Sequence, residues 1–307
     1  MRICMKKIIP VVISYLILIS SFSIADKSIA ENISLSSVEH LENMNESGLD
    51  DGREYYALIV GVEKFANLTF PEEYWIDETA IAMYDLLVNS SNWREENIKM
   101  LLNENATKNN IHDAIVNWLD EKEDENDVVL IFYTDHGWKT RLSERKYGHA
   151  FVFTYNVTEE NRIEDKITDK EFDTWVDQLE SKHIVIILET CYSGRMFALR
   201  QHGRVLLTAG GKYFFCGVDD SDHLKEGIFT HYIMEGLKGV ADLNNDGWVT
   251  AEETFRYARP HTIYTSIWEQ FPFIQKYGNS TIIWFFQVPR MYDRHVGSIP
   301  LIKLSNL

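Results

Sequence analysis

Two short segments carry residue types suited to nucleophilic catalysis. Thr134-Asp135-His136-Gly137 sets an imidazole beside a glycine, and Glu189-Thr190-Cys191-Tyr192-Ser193-Gly194 sets a thiol 55 residues after His136. A thiol needs a nearby base to become thiolate at neutral pH, and an imidazole supplies one. A glycine beside each group lets the backbone approach a substrate closely. The N–H groups of Gly137 and Cys191 could then stabilise an oxyanion. Alone, each half has a plainer reading: a structural His-Gly after a strand, or a buried and inert cysteine.

These residues act together only if the fold juxtaposes them. Both follow apolar runs, Val128-Val129-Leu130-Ile131-Phe132-Tyr133 and Ile184-Val185-Ile186-Ile187-Leu188. Runs of this kind suit strands buried on both faces. Tyr55 to Val62, Ile98 to Leu102, Val205 to Ala209 and Ile282 to Phe286 read as further strands, with a small added strand over Ala150 to Tyr155. Helical spacing covers Ile76 to Val88, then Thr107 as a cap for a helix to Leu119, then Asp169 as a cap for one through Leu179. Phe229 to Leu237 and Ala251 to Ala258 are also helical. Strands alternating with helices predict an α/β fold with a mostly parallel sheet. Ligands of such sheets bind beyond the carboxyl ends of the strands, which is where both segments fall.

At these residues the chain resembles the caspase-like clan of cysteine peptidases, which includes caspases, metacaspases and legumains. The resemblance spans roughly Tyr55 to Phe286. Thr134-Asp135-His136-Gly137 is similar to the legumain base motif, and Glu189-Thr190-Cys191-Tyr192-Ser193-Gly194 to the legumain and metacaspase nucleophile motifs. Gly227-Ile228-Phe229-Thr230 ahead of Gly236-Leu237-Lys238-Gly239 resembles microbial caspase-like proteins. The resemblance implies a three-layer α/β/α sandwich, Cys191 as nucleophile, His136 as base, a protein or peptide substrate, and no cofactor in the chemistry.

It also implies a specificity pocket. The acid two residues before the nucleophile lines that pocket across much of the clan, and here it is Glu189. Asp77, in Trp75-Ile76-Asp77-Glu78-Thr79-Ala80, resembles the pocket aspartate of metacaspases. Two buried carboxylates favour a cationic partner, because desolvated charge is costly unpaired. Arg or Lys at the cleavage position meets that need. The alternatives are a legumain-like preference for Asn, and two acids that merely cap strand and helix ends. Asp219, Asp220 and Asp222 lie in a loop that often borders this pocket in the clan and read as a solvated acidic stretch.

Asp242-Leu243-Asn244-Asn245-Asp246-Gly247-Trp248-Val249-Thr250-Ala251-Glu252-Glu253 fits a calcium-binding EF-hand loop. Asp242, Asn244 and Asp246 supply side-chain oxygens, Trp248 its carbonyl, Thr250 a water-mediated contact and Glu253 a bidentate carboxylate, with Gly247 at the sharp turn. A structural or regulatory Ca2+ is the expectation. The alternative is an Asp/Asn/Gly turn held by its own hydrogen bonds.

The 307 residues include 30 Lys and Arg against 47 Asp and Glu, a net charge of −17. A chain this acidic is repelled by phosphate backbones, so nucleic acid is not an expected partner. Three cysteines exclude a disulfide scaffold. Arg2, Lys6 and Lys7 precede an apolar run from Ile8 to Ile19, and small-residue cleavage sites end at Ala25 and Ala30. This predicts a signal peptide over 1–30 and a secreted or cell-surface protein. Association with a membrane through an uncleaved anchor is the alternative. Cys4 leaves with the signal, and Cys191 and Cys216 remain. A polar linker or pro-segment follows over 31–53, a peptidase domain over 54–288 and a tail over 289–307. The reading is thus an exported cysteine endopeptidase acting after Arg or Lys. Its rivals are an Asn-specific protease, a transpeptidase, and a non-catalytic calcium-binding protein on a peptidase fold.

Overall fold

The computed structural model describes residues 52–66, 75–141, 143, 145–146, 148–157, 165–211, 224–269 and 287–304. The expected signal peptide, nearly all of the polar segment after it, Cys216, the three loop aspartates and the expected strand at 282–286 lie outside these residues.

Seven-residue apolar stretches form β1 (Tyr55–Gly61), and the shorter Ile98–Leu102 forms β2. β3 is Val128–Thr134, continuing through a hairpin of β4 (Gly137–Lys139) and β5 (Ala150–Val152) to a short β6 (Ile167–Thr168). β7 is His183–Glu189 and β8 is Arg204–Thr208. β9 (Trp248–Thr250), β10 (Arg290–Asp293) and β11 (Pro300–Lys303) complete the strands. The central sheet runs β10-β8-β7-β3-β1-β2, parallel except for the antiparallel edge strand β10.

Side-chain alternation along these strands divides the core in two. Ala57, Ile59, Leu130, Phe132, Val185 and Ile187 face one layer, whereas Leu58, Val60, Ile131, Tyr133, Ile186 and Leu188 face the other. The first layer is covered by α1 (Ile76–Val88), by α4 (Ile228–Glu235) and by α5 (Ala251–Glu269), through Met83, Leu87, Phe229, Ile233 and Phe255. The second is covered by α2, which runs as an α-helix over Lys108–Asp113 and in wider turns over Ala114–Leu119, and by α3 (Asp169–Val176). Ile111, Ile115, Phe172 and Trp175 are its contacts. The result is the expected three-layer α/β/α sandwich.

Two local expectations are corrected. Thr168, not Asp169, caps α3: its hydroxyl accepts from Glu171 N and the Glu171 carboxylate reaches back to Thr168 N, a reciprocal capping box. Asp169 is instead fully buried and accepts from His149 N at 2.7 Å and Ala198 N at 3.2 Å. The tail, which has no readable pattern of its own, supplies β10 to the central sheet and β11 to β9. Among the described residues no helix is long and apolar enough to cross a membrane.

Candidate active site

Strand register places the two motifs side by side. β3 and β7 are parallel neighbours, with Tyr133 opposite Leu188 and Thr134 opposite Glu189. His136 and Cys191 each lie two residues beyond that last pair. Neighbouring strands are about 4.8 Å apart, so both loops leave the sheet at the same edge. Asp135 N still donates to Glu189 O at 3.4 Å, carrying the contact past the strand ends.

Gly137 closes the gap. A Cβ added there would lie 2.5 Å from the Cys191 carbonyl oxygen and 3.1 Å from the Thr190 side chain, so a larger residue would push the two loops apart. The hairpin bond from Phe153 N to His136 O, 3.1 Å, makes Gly137 opposite Val152 the non-bonded pair of the ladder. The Gly137 N–H is therefore directed away from β5, as an oxyanion donor requires.

The nucleophile loop is braced on both sides. Gly194 N donates to Gly210 O at 2.9 Å, Gly210 N to Ser193 Oγ at 3.0 Å, and Arg200 Nη2 to Gly194 O at 2.8 Å. Tyr192, directly after Cys191, has a left-handed φ of 57° that turns the chain sharply. Cys191 itself is half-buried.

His136 sits between the rings of Phe65 and Phe153, with centroids at 6.1 and 6.4 Å. Burial lowers its pKa to about 4, so the imidazole is neutral, and a competent proton acceptor, at neutral pH. Asp135 lies inside the base motif, where no sequence signal gives it a role. Its Oδ1 accepts from the His136 backbone N–H, and among the described residues its enclosed Oδ2 has no hydrogen-bond partner. Burial pushes its carboxyl well above the usual range, and the charge on Cys191 pushes the same way, against the pull of the His136 and Phe153 N–H groups. Asp135 thus ties its own carboxyl to the His136 backbone.

The two candidate pocket acids differ. Glu189 is buried, 6 % exposed, and both oxygens are engaged. Oε2 accepts from Thr230 N at 2.7 Å and Thr230 Oγ1 at 2.8 Å, at the start of α4, and Oε1 accepts from Gln287 Nε2 at 3.0 Å. Gly227 leaves room for it, since a Cβ there would meet the Glu189 side chain at 2.7 Å. Asp77 lies in the first turn of α1, where Oδ2 accepts from Asn103 Nδ2 at 2.7 Å and lies 3.8 Å from the exposed Lys64 Nζ. Its Oδ1 is enclosed without a hydrogen-bond partner among the described residues. Burial raises its pKa, Asn103 opposes this, and the nearby Glu63 charge adds to the rise. The Gly227 N–H donates to Thr79 Oγ1 at 3.0 Å, joining α1 to the turn that holds Glu189. No sequence signal marks Gln287, 98 residues from its partner.

The segment Asp242–Glu253 forms the wound loop its composition predicts. Asp242 accepts from the N–H groups of Asp246 and Gly247, each at 3.2 Å, and Gly247 takes the left-handed φ of 83°. Asn244 Nδ2 donates to Asp246 Oδ2 at 2.7 Å. Trp248, through β9, pairs with the tail strand β11. Glu253 accepts from Thr250 N and Oγ1 at 3.1 and 2.9 Å, capping α5. Among the described residues, no group of three or more His, Cys, Asp or Glu side chains converges as in a metal site. The donor types fit calcium, with Glu253 turned to the helix cap.

Comparison with known proteins agrees with this architecture. No curated protein matches the sequence. A structural-genomics crystal structure of a Geobacter sulfurreducens protein is similar in fold, with a TM-score of 0.52 at 9 % identity, covering 82 % of this chain and 100 % of that one. Residues 73–200, which include His136, Gly137, Glu189 and Cys191, match the family described as metacaspase, peptidase C14 domain. Residues 73–200 are thus similar to a metacaspase-type cysteine peptidase domain, and the α/β sandwich around them is consistent with a caspase-like fold.

Proposed function

We propose that the protein is an exported cysteine endopeptidase that cleaves peptide bonds after Arg or Lys through Cys191 and His136. The observation that carries the reading is the shared row of the two loops, with Gly137 seated on the Cys191 carbonyl. His136 takes the thiol proton, and Cys191 Sγ attacks the scissile carbonyl carbon. The oxyanion is held by the N–H groups of Gly137 and Cys191. The carbon–nitrogen bond then breaks, His136 returns the proton to the leaving amine, and an acyl-enzyme remains. Water, deprotonated by His136, releases the acid and regenerates the thiol.

Specificity for a basic residue is supported by the acids on one wall of the site. Asp77 offers an enclosed oxygen and has Glu63 close by, while Glu189 adds negative charge behind it. A guanidinium or ammonium would satisfy Asp77 at the moment of binding. Because Glu189 is already committed to Thr230 and Gln287, the direct contact falls to Asp77. The Asp242–Glu253 loop is proposed to hold Ca2+ through Asp242, Asn244, Asp246, Trp248, Thr250 and Glu253. The ion would brace α4 against α5 and take no part in the chemistry. Its affinity is reduced by the need to release Glu253 from the α5 cap. Export rests on the basic and apolar N-terminal segment.

The test is cleavage of fluorogenic peptides ending in Arg, Lys, Asn or Asp, with calcium and with chelator, beside Cys191→Ala. Cleavage after Arg or Lys that disappears in the variant is the expected result. Cleavage after Asn would overturn the pocket, and an unreactive thiol with no cleavage would overturn the enzyme.

A further inference from the structure

The hairpin that carries His136 also presents an exposed tryptophan. By strand alternation His136 and Trp138 share one face of the hairpin, the face of Phe151 and Phe153. That face is aromatic: Phe151 stands opposite Trp138 in the register, Phe153 bonds across from His136, and their rings lie 5.7 Å apart. Beyond them Trp138 meets Tyr192, the residue after the nucleophile, edge to face at 5.2 Å. Tyr192 is buried, whereas Trp138 keeps 44 % of its surface exposed. Lys139 Nζ lies 5.3 Å from the centre of the Tyr192 ring. The structure therefore holds a large indole rigidly against the site with its outer part open.

Position decides what this indole meets. The pocket acids come from the α1 and α4 layer, through Asp77 and the Thr230-bound Glu189. The hairpin belongs to the opposite layer, with Ala150 and Val152 in the second core. With the acyl half of a substrate anchored on the acids, the amine half leaves the site toward the hairpin. The group that protonates the leaving amine is His136, and Trp138 lies two residues, about 6.7 Å, further along the same strand face. That is side-chain reach from the first residue after the scissile bond.

We infer that Trp138, backed by Tyr192, forms a subsite on the leaving-group side that selects peptides with an apolar or aromatic residue directly after the cleaved bond. The inference rests on the peptidase reading above. Burying one large apolar side chain there gives about tenfold in kcat/KM over glycine. The test uses internally quenched peptides with Arg before the bond and Gly, Leu or Phe after it, cut by the wild type, Trp138→Ala and Trp138→Phe. A Phe-over-Gly ratio of about ten that falls to near one in Trp138→Ala, and is mostly kept in Trp138→Phe, is the expected outcome. A wild-type ratio near one, or one unchanged in Trp138→Ala, overturns the subsite while leaving the peptidase reading intact. No cleavage of any peptide by the wild type overturns both. If Trp138→Ala does not fold, wild-type acyl-enzyme is partitioned between water and added phenylalaninamide or glycinamide. Preferential capture by phenylalaninamide supports the subsite, and equal capture overturns it.

Discussion

The dyad site and the Asp242–Glu253 loop are both recognised by short motifs, yet they are built in opposite ways. The loop is contiguous: its polar atoms bond to neighbours within five residues, from Asp242 to Gly247 and from Thr250 to Glu253. The proposed dyad is non-local, and its two loops leave the sheet at one edge because β3 and β7 are paired over seven residues. Contiguous polar residues can satisfy one another, so a loop of this composition is stable with or without an ion. The strand-end groups instead have the core beneath them and each other beside them. A site made by register holds its reactive groups in place against their own preferences, as the depressed pKa of His136 and the raised pKa of Asp135 illustrate.

The strongest way to break the comparison is at the dyad. Cys191→Ala is expected to lower kcat/KM by a factor of about a thousand or more, with the thermal unfolding midpoint nearly unchanged, because the residue is half-buried and small. His136→Ala should fall in the same range, and the double variant should be little worse than either, since the groups act as one unit. An additive loss would show that they do not.

The two acids come next and separate binding from architecture. Asp77→Asn is expected to cost about tenfold to a hundredfold in kcat/KM for Arg peptides, the loss of one charge-assisted contact, with little effect on folding. Glu189→Ala strips Thr230 N and Gln287 of a buried acceptor and should destabilise the protein by about 1–3 kcal/mol in chemical denaturation. Equal specificity losses from both, without a stability difference, would contradict the division drawn between them.

Most of this was legible before the structure, for reasons that lie in particular residues. The runs at Tyr55, Val128 and Ile184 are apolar without interruption because both faces of a parallel sheet are covered, and the motifs follow them directly. The α3 cap falls on Thr168, one residue before the position the sequence suggests, because Asp169 is equally able to cap and only burial distinguishes them. Gln287, β10 and β11 were unreadable because their partners lie far away in sequence: Gln287 meets Glu189, and the tail strands lie beside β8 and β9. Trp138 could have been found by counting two along the strand from His136, whereas nothing in the sequence marks Asp135 as the acceptor of the His136 backbone N–H.

A smaller effect is expected with pH. The folded-state pKa of His136, about 4, lies below the ordinary value of 6.5. Its contribution to stability is present above 6.5 and is lost as pH falls toward about 4, because only the unfolded chain takes up the proton in that window. The acid limb of kcat/KM for the free enzyme should accordingly fall near 4 instead of 6.5. Glu123, whose carboxyl accepts from Glu180 N and Ser181 N, has a pKa raised by burial from 4.5 to about 7, and works in the other direction. Its contribution is present below 4.5 and is lost as pH rises through about 7. Glu123→Gln should flatten that alkaline decline in denaturant titrations and leave the acid limb of activity where it was.

The smallest expected effect belongs to the local loop. Calcium at a hundred times its dissociation constant would stabilise the fold by about 2.7 kcal/mol, less whatever the loop loses when Glu253 leaves the α5 cap. Glu253→Gln keeps an oxygen for Thr250 while removing the position-twelve charge, so the apo protein should unfold within about 0.5 kcal/mol of wild type. The calcium-dependent shift in midpoint should shrink or vanish, and Trp248, inside the loop, supplies a fluorescence readout of the same event. Kinetics on Arg peptides should be the same with saturating calcium and with chelator wherever the protein is fully folded, because Trp248 of the loop stacks on Tyr55, at the end of the sheet away from His136 and Cys191. A change in kcat with calcium under those conditions would mean that the local site and the register-built site are coupled, and that α4, which carries Thr230 against Glu189, is the element joining them.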